Sequence, residues 1–322
     1  MERNFICISS VSDPYENIGA DEWFLDHVGE EDLVLYFYRN DPSVIIGKNQ
    51  NPWVECDLAK MESDGVSLVR RVSGGGAVFH DSGNLNFSFI AGKQRYDLAK
   101  QMSVILKAVQ SLGISCEFSG RNDLISGGKK FSGNAFAARK ENRLHHGTLL
   151  ISSDLDRLRQ YLTPDEKKIR SKGIASVRSR VCNLCEQIPD LEAKSVRGAI
   201  SKQFEKTYGY FGEWQFHAGE REEVRRYREK HASSQWYLGE TPKFDLEWED
   251  RFSWGGIRLL LSFRKGVISS VSAFSDAMDP EICEKIQQCL LGLPFHQEKI
   301  ATALAASDCE ELRELSKSSF IC

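Results

Sequence analysis

The amino-acid sequence predicts an α+β protein, with a large domain followed by a small α+β domain. Three observations carry this. Strand-like and helix-like segments mix along the first 248 residues without the strand–helix–strand rhythm of a doubly wound parallel sheet. After Gly239-Glu240-Thr241-Pro242 the texture changes, and a second, shorter set of strands and then helices begins, so residues 1–248 and 249–322 read as two domains. At 322 residues the chain is too long for one average domain and suits a large one plus a small one.

In chain order, Leu33–Arg39 and Val44–Gly47 are short apolar runs of strand character, parted by the turn signal Asn40-Asp41-Pro42. Ser67–Val72 and Ala77–His80 read as strands on either side of Gly74-Gly75-Gly76. Leu85, Phe87 and Phe89 alternate with Asn86 and Ser88, the pattern of a half-buried strand. From Asp97 to Gly113, Leu98, Met102, Ile105, Leu106, Val109 and Leu112 recur at helical spacing, with Asp97 as N-cap and Gly113 as stop. His146–Ile151 reads as a strand, Asp154–Leu162 as a short helix and Leu191–Tyr208 as a loosely periodic one. Glu220–Lys230, dense in Glu and Arg, reads as a solvated helix face. In the second domain Ile257–Arg264 and Val267–Phe274 form a strand pair turning at Lys265-Gly266, with helices over Pro280–Leu291 and His296–Ala305.

A net charge of −4 argues against non-specific nucleic-acid or membrane-surface binding, which calls for a basic face. No secretory h-region follows Met1 and no apolar run reaches the length of a membrane span, so the expected location is cytoplasmic. Nine scattered cysteines fit reduced thiols there. Cys182 and Cys185 form one C-x-x-C with no second pair or nearby His to complete a zinc set.

Four clusters carry polar chemistry. In Arg70-Arg71-Val72-Ser73-Gly74-Gly75-Gly76-Ala77-Val78-Phe79-His80-Asp81, consecutive glycines let backbone N–H groups cup an anion, and the arginines offer forked donors. A plain glycine-rich turn would look similar, and the pattern matches neither a P-loop nor a Rossmann fingerprint. Gly120-Arg121-Asn122-Asp123 precedes Gly128-Lys129-Lys130-Phe131-Ser132-Gly133. Asn122 and Asp123 are oxygen ligands of the kind Mg²⁺ takes beside phosphates, and Lys130 stands next to small residues that leave room for a ligand. A turn pair and a solvated basic pair are the plainer readings. In His145-His146-Gly147-Thr148 the two imidazoles of a strand face opposite ways, so at most one easily meets a site. Ser171-Lys172-Gly173-Ile174-Ala175-Ser176-Val177-Arg178-Ser179-Arg180-Val181 is basic, with small residues between its charges.

Read in order, these elements resemble the lipoate–protein ligase A family: the arginine pair with Ser-Gly-Gly-Gly and His-Asp, Gly-Arg-Asn-Asp, Lys-x-Ser-Gly, His-His-Gly-Thr, and Ser-Lys-Gly-Ile with Val-Arg-Ser-Arg-Val. The likeness extends from Asn51-Pro52-Trp53 past Trp236 to Arg251-Phe252-Ser253-Trp254-Gly255-Gly256, so it covers almost the whole chain, including the C-terminal domain of the long bacterial form. One departure is the short connection, Ile125 to Lys129, between Asp123-Leu124 and Lys130, read here as a trimmed surface turn.

The resemblance implies a catalytic domain of the biotin/lipoate protein ligase type, related to class II synthetases, with mixed and antiparallel sheets. It implies ATP-dependent activation of lipoate to lipoyl-AMP and transfer to a lysine of lipoyl-domain acceptors, namely 2-oxoacid dehydrogenase E2 subunits and the glycine cleavage H protein. ATP, Mg²⁺ and lipoate are the implied ligands, with no nucleic-acid or membrane partner. Carried onto this chain, Lys130 would be catalytic. Arg71, Gly74, Gly75, Gly76, Ala77, Val78, Phe79, Asn122, Asp123, Lys172 and Arg178 would join Lys130 around ATP and the adenylate. Arg70, Ser73, Gly75, His80, Gly133 and His146 would join it around lipoate, with Asp123 as the Mg²⁺ ligand and Lys172–Asn183 as a closing loop. Val44, Val78, Phe79 and Phe131 are candidates for an apolar lipoyl tunnel, though each also suits core packing. An ATP-independent octanoyl or lipoyl transferase of the same fold, and a non-catalytic adenylate sensor, stay open as alternatives.

Overall fold

An eight-stranded sheet organises the first unit, and its two faces divide the labour between stability and chemistry. The computed structural model describes residues 2–50, 52–119, 123–162, 181–238, 246–264, 267–295 and 297–318. The chain separates into two compact units, Met1–Glu240 and Thr241–Cys322.

The sheet contains β1 (Arg3–Ile8), β2 (Asp32–Tyr38), β6 (Asn84–Gly92), β7 (Glu117–Ser119), β8 (Asp123–Ser126), β9 (Lys129–Arg139), β10 (Asn142–Leu150) and β11 (Gly212–Glu213), in the order β11-β1-β2-β6-β10-β9-β8-β7. Only β11–β1 and β1–β2 pair in parallel. A second sheet of β3 (Ser43–Ile46), β4 (Ser67–Arg70) and β5 (Val78–His80) has β3 at its centre, and the short helices α2 (Pro52–Glu55) and α3 (Leu58–Ser63) lie between β3 and β4 in the chain.

Because side chains alternate along a strand, the large sheet sorts its residues cleanly. Leu35, Phe37, Phe87, Phe89 and Leu149 point to one face, against Met102, Ile105 and Val109 of α4 (Leu98–Ser111) and Val196, Ile200 and Phe204 of α6 (Ala193–Tyr208). Helix α4 starts where expected: the Asp97 carboxylate accepts from the Lys100 N–H at 2.9 Å, and Gly113 takes φ +93° beyond its end. The other face is apolar at one end, where Val34, Ile90 and Leu144 meet Ile18 and Phe24 of α1 (Pro14–His27). Its other end is polar: Tyr36 pairs Ser88, Tyr38 pairs Asn86, and His146 and Thr148 stand opposite Ser88 and Asn86.

That polar end explains one difference from expectation. The Leu85–Phe89 alternation suggested a half-buried strand, yet all nine positions of β6 are buried. Asn86 and Ser88 alternate with the core residues because they line a covered polar interior, not solvent. Helix α1 was also unassigned from sequence, since Asn17–Leu25 are buried continuously and no amphipathic stripe marks it. Its start signal is nonetheless present: Asp13 caps it and Pro14 occupies the first turn.

The Glu/Arg-rich stretch forms α7 (Ala218–Ala232). It is not simply a solvated face, because Val224 and His231 are buried and Lys230 reaches Glu22 of α1 at 2.8 Å. Helix α8 (Ser234–Tyr237) follows directly. The short helix read from Asp154 is α5 (Leu155–Tyr161), capped by Asp154.

The second unit is an antiparallel meander, β12 (Leu246–Arg251), β13 (Gly256–Arg264) and β14 (Val267–Ser275), packed by helices Ile282–Leu290, Gln297–Ala305 and Glu310–Leu315. Ile257, Leu259 and Leu261, alternate residues of β13, meet Ile286, Leu304 and Leu315 in its core. Leu246–Trp248, which the sequence reading kept in the first domain, pair here with Leu259–Leu261. The turn expected at Lys265-Gly266 lies outside the described residues. Among the described residues no helix is long and apolar enough to cross a membrane.

Candidate active site

The glycine-rich loop runs from the end of β4 to β5 and is gripped from within by Arg71. This side chain, 6% exposed, donates from Nε to the Ser73 hydroxyl (2.9 Å) and from Nη1 to Ile45 O (3.0 Å). Its Nη2 donates to Gly74 O and to Gly76 O, the latter at 2.9 Å. Burial lowers the guanidinium to about 10, still above neutral pH, so the charge persists. The Ser73 carbonyl meanwhile accepts the Lys48 N–H at 2.9 Å.

These contacts fix where the loop's amides point. Among the described residues no peptide is cis, so each carbonyl and the following N–H lie in one plane and point in opposite directions. With the carbonyls of Ser73, Gly74 and Gly76 turned inward, the N–H groups of Gly74, Gly75 and Ala77 turn away from Arg71 and Lys48. Among the described residues no amide from Gly74 to Ala77 donates to an acceptor, and these positions are half-buried or exposed. Such a run of free donors has the chemistry to cup an anion. Only glycine serves at position 75, whose φ is +86° and where a Cβ would stand 3.0 Å from Arg71 Nη2. Gly47, absent from the sequence-based candidates, is equally tied to the loop, since a Cβ there would collide with the Gly75 carbonyl.

Lys130 stands at the start of β9, its Nζ 2.7 Å from Asp123 Oδ1 on β8. A bulge between Leu124 and Ile125 shifts the β8–β9 register and sets Gly133 opposite Asp123. A Cβ on Gly133 would come within 2.8 Å of both Cε and Nζ of Lys130, so the lysine lies directly over that glycine. The Lys130 carbonyl accepts the Cys182 N–H at 2.9 Å, which fastens the chain that follows the basic segment to the lysine strand. Burial raises the Cys182 thiol, as expected for a packed thiol and not a reactive one.

The loop and the lysine share one sheet face. Ser73 Oγ lies 2.6 Å from His146 Nε2, and the Thr148 hydroxyl accepts from Gly133 N–H at 3.4 Å. His146 and Thr148 are alternate residues of β10, roughly 7 Å apart along the strand. Ser73, His146, Thr148, Gly133, Lys130 and Asp123 therefore form a continuous polar strip across β10, β9 and β8. His145 points the other way, stacked 5.6 Å from Phe89 in the core, with burial lowering it to about 3.

His80 is buried, and burial together with Arg71 and His146 lowers it to about 3. Its Nδ1 faces Asn40 Nδ2 at 3.0 Å, while Asn40 Oδ1 accepts from Asn17 Nδ2 at 2.9 Å. The amide thus donates to Nδ1, and the hydrogen of the neutral ring sits on Nε2, which has no partner among the described residues.

Arg70 departs from its expected place beside lipoate. Its guanidinium is fully buried, donating to the carbonyls of Gly47, Lys48 (2.7 Å), Gln50 (2.8 Å), Trp236 and Tyr237 (2.9 Å). It ties the turn after β3 to α8. Its own carbonyl accepts from His231 Nδ1 and Trp236 Nε1, both at 2.9 Å. Val44 and Phe79 are buried with Met61 and Tyr161, Phe131 lies in the main core, and Val78 packs partly against the α1 cluster, so all four serve packing. Asn122, Lys172 and Arg178 lie outside the described residues. Among the described residues no group of three His, Cys, Asp or Glu side chains could hold a metal ion.

A model of the lipoyl protein ligase A/B catalytic domain matches residues 13–205, and one of the bacterial lipoate protein ligase C-terminus matches residues 241–322. Among solved structures, P. falciparum LipL1 in complex with lipoate is 28% identical with a TM-score of 0.78, over 97% of this chain and 98% of that one. A bi-partite lipoate protein ligase of Thermoplasma acidophilum, described with its E2 lipoyl domain, is 29% identical with a TM-score of 0.67, over 76% of this chain and all of that one. A lipoate-protein ligase A bound with ATP is 29% identical with a TM-score of 0.64, over 74% of this chain and 99% of that one. The chain belongs to the lipoyl protein ligase A/B catalytic domain family and carries the C-terminal domain of the bacterial lipoate protein ligases.

Proposed function

We propose that this protein is an ATP-dependent lipoate–protein ligase, which converts lipoate to lipoyl-AMP and passes the lipoyl group to a lysine of a lipoyl-domain acceptor. The observation that carries the reading is the pairing of unfilled amide donors at Gly74, Gly75 and Ala77 with the amine of Lys130 on one sheet face. An anion cradle alone binds phosphate. An anion cradle beside a fixed amine suits a reaction in which charge moves between a carboxylate and a phosphate.

A carboxylic acid and an amine do not condense in water at neutral pH, because hydroxide is a poor leaving group. Attack of the lipoate carboxylate on the α-phosphorus of ATP forms the acyl–phosphate bond and breaks the bond to pyrophosphate. The loop amides and Arg71, which holds their carbonyls, would steady the phosphates. Lys130, oriented by Asp123, would hold the lipoyl carboxylate and α-phosphate together and stabilise the charge in each half-reaction. The unpartnered Nε2–H of His80 suits a carbonyl or carboxylate oxygen. In the second half-reaction the acceptor lysine attacks the lipoyl carbonyl and AMP leaves.

Mg²⁺ would come with the nucleotide and offset phosphate charge. Asp123 is a single carboxylate, which fits an ion that usually keeps its waters and takes the rest of its ligands from phosphates. The acceptors suggested are E2 subunits of 2-oxoacid dehydrogenases and the glycine cleavage H protein. A ligase of this kind would work in the cytoplasm.

Lipoate-dependent exchange of radiolabelled pyrophosphate into ATP tests the reading, followed by lipoylation of an apo lipoyl domain. Exchange that requires lipoate supports it. Acyl transfer from a carrier protein without ATP would replace it with the transferase alternative, and nucleotide binding without either reaction with the sensor.

A further inference from the structure

We propose that Asp21 and His146 are positioning residues that aim the glycine-rich loop, acting through the hydroxyl of Ser73; the inference rests on the adenylate-forming reading above. Asp21 lies on α1, far in sequence from every motif. Its Oδ2 accepts from His146 Nδ1 at 2.9 Å and from the Tyr38 hydroxyl at 3.2 Å. His146 Nε2 faces Ser73 Oγ at 2.6 Å, and Ser73 Oγ accepts Arg71 Nε–H at 2.9 Å. Asp21 and Ser73 are each 1% exposed and His146 and Arg71 each 6%, so the four side chains are shielded from bulk solvent.

With a neutral imidazole, the hydrogens in this array have one consistent arrangement. A carboxylate only accepts, so Nδ1 of His146 carries a hydrogen. Ser73 already receives the Arg71 N–H, and its own hydrogen has His146 Nε2 as the one acceptor within reach among the described residues. The donors then run in a single direction, from guanidinium to hydroxyl to imidazole to carboxylate. Arg71 Nε is shared between Ser73 Oγ (2.9 Å) and Gly74 O (3.1 Å), while its other nitrogens hold Ile45 O, Gly74 O and Gly76 O. Because those carbonyls face inward, the amides of the same peptides face outward.

Reversing the imidazole would set a second N–H donor against Ser73 Oγ beside that of Arg71, leave the serine hydrogen without its acceptor and loosen the guanidinium's hold on the loop. The array has the members of a Ser–His–Asp triad, but Ser73 is enclosed and its hydrogen is committed. Its role is to orient the loop, not to attack an acyl group.

Asp21→Asn, which keeps shape and removes the charge, tests the proposal with Ser73→Ala and the double variant. Side-chain ¹⁵N shifts of His146 should report hydrogen on Nδ1 in the wild type and a shift toward Nε2 in Asp21→Asn, as when an amide replaces a triad carboxylate. The KM for ATP in lipoate-dependent exchange should rise about tenfold in each single variant, the size expected for losing a charge-assisted hydrogen bond. In the double variant it should rise no further, because both changes cut one chain. Hydrogen on Nε2 in the wild type, or single effects that multiply in the double variant, would overturn the proposal. Absence of exchange in the wild type would remove the adenylating reading instead, and the nitrogen shifts would still decide the orientation of His146.

Discussion

The amine of Lys130 rests on Gly133, where a single added methyl group would stand 2.8 Å from both Cε and Nζ. The glycine of the Lys-x-Ser-Gly element is therefore the seat of the lysine. Gly133→Ala should displace the amine by about an ångström and lower the rate of lipoyl-adenylate formation roughly 10²-fold. Its melting temperature should stay close to wild type, since position 133 is only half-buried. Pyrophosphate exchange beside thermal unfolding checks this, and normal exchange in Gly133→Ala would show that the seat is not needed.

Lys130→Ala should abolish measurable lipoyl-adenylate while leaving the fold intact. A fixed charge stabiliser in an active site is worth about 10²–10³ in rate, and this side chain makes a partly exposed ion pair with Asp123 that adds little stability. Mass-spectrometric detection of lipoyl-AMP in a protein of unchanged circular dichroism is the measurement. Near-normal turnover would remove Lys130 from the chemistry.

The three glycines should not be equivalent. Gly75→Val must adopt φ +86° against Arg71, a strain of about 1–3 kcal/mol, and should weaken ATP binding more than tenfold. Gly76→Ala meets nothing within 4 Å and should bind ATP almost as the wild type does. Calorimetric titration of both variants with ATP checks the contrast, and equal losses would mean that glycine composition, not this geometry, matters.

Glu22 should make the large unit acid-sensitive. Burial pushes its carboxyl up, but hydrogen bonds and charge from His231 and Lys230 outweigh that and lower it from 4.5 to about 2. A lowered carboxyl contributes its full stability above 4.5 and loses it as the pH falls through about 2. Glu22→Gln, which leaves cationic partners unpaired, should cost about 3–5 kcal/mol at neutral pH. The gap to wild type should narrow steadily below pH 4.5. Urea unfolding across that range measures it, and a gap independent of pH would refute the assignment.

Periodicity made much of the fold legible. Helix α4 follows from spacing and caps because it meets the core on a regular face, and strands β2, β3 and β13 follow from apolar runs bounded by turn signals. Helix α1 was not legible for the opposite reason, as burial on all sides erases the periodic signal. The motifs marked Ser73, the glycines, Lys130, Gly133 and His146, but not their mutual geometry. Arg70 and Arg71 show the limit best. Adjacent in sequence and identical in chemistry, they offer no local reason to differ. The alternation of the β4 edge sends Arg70 into a cage of carbonyls around α8 and Arg71 beneath the loop.

Order along the chain alone determined the α+β class and marked candidate residues whose chemistry suits phosphate and carboxylate, because side-chain chemistry and backbone freedom are local properties. Tertiary structure decided which atoms remain free. Asp21, Tyr38, Asn40 and Gly47 enter the site only because α1 and β3 pack over the polar sheet end to which β2 belongs, and hydrogen-bond direction there is set by neighbours distant in sequence.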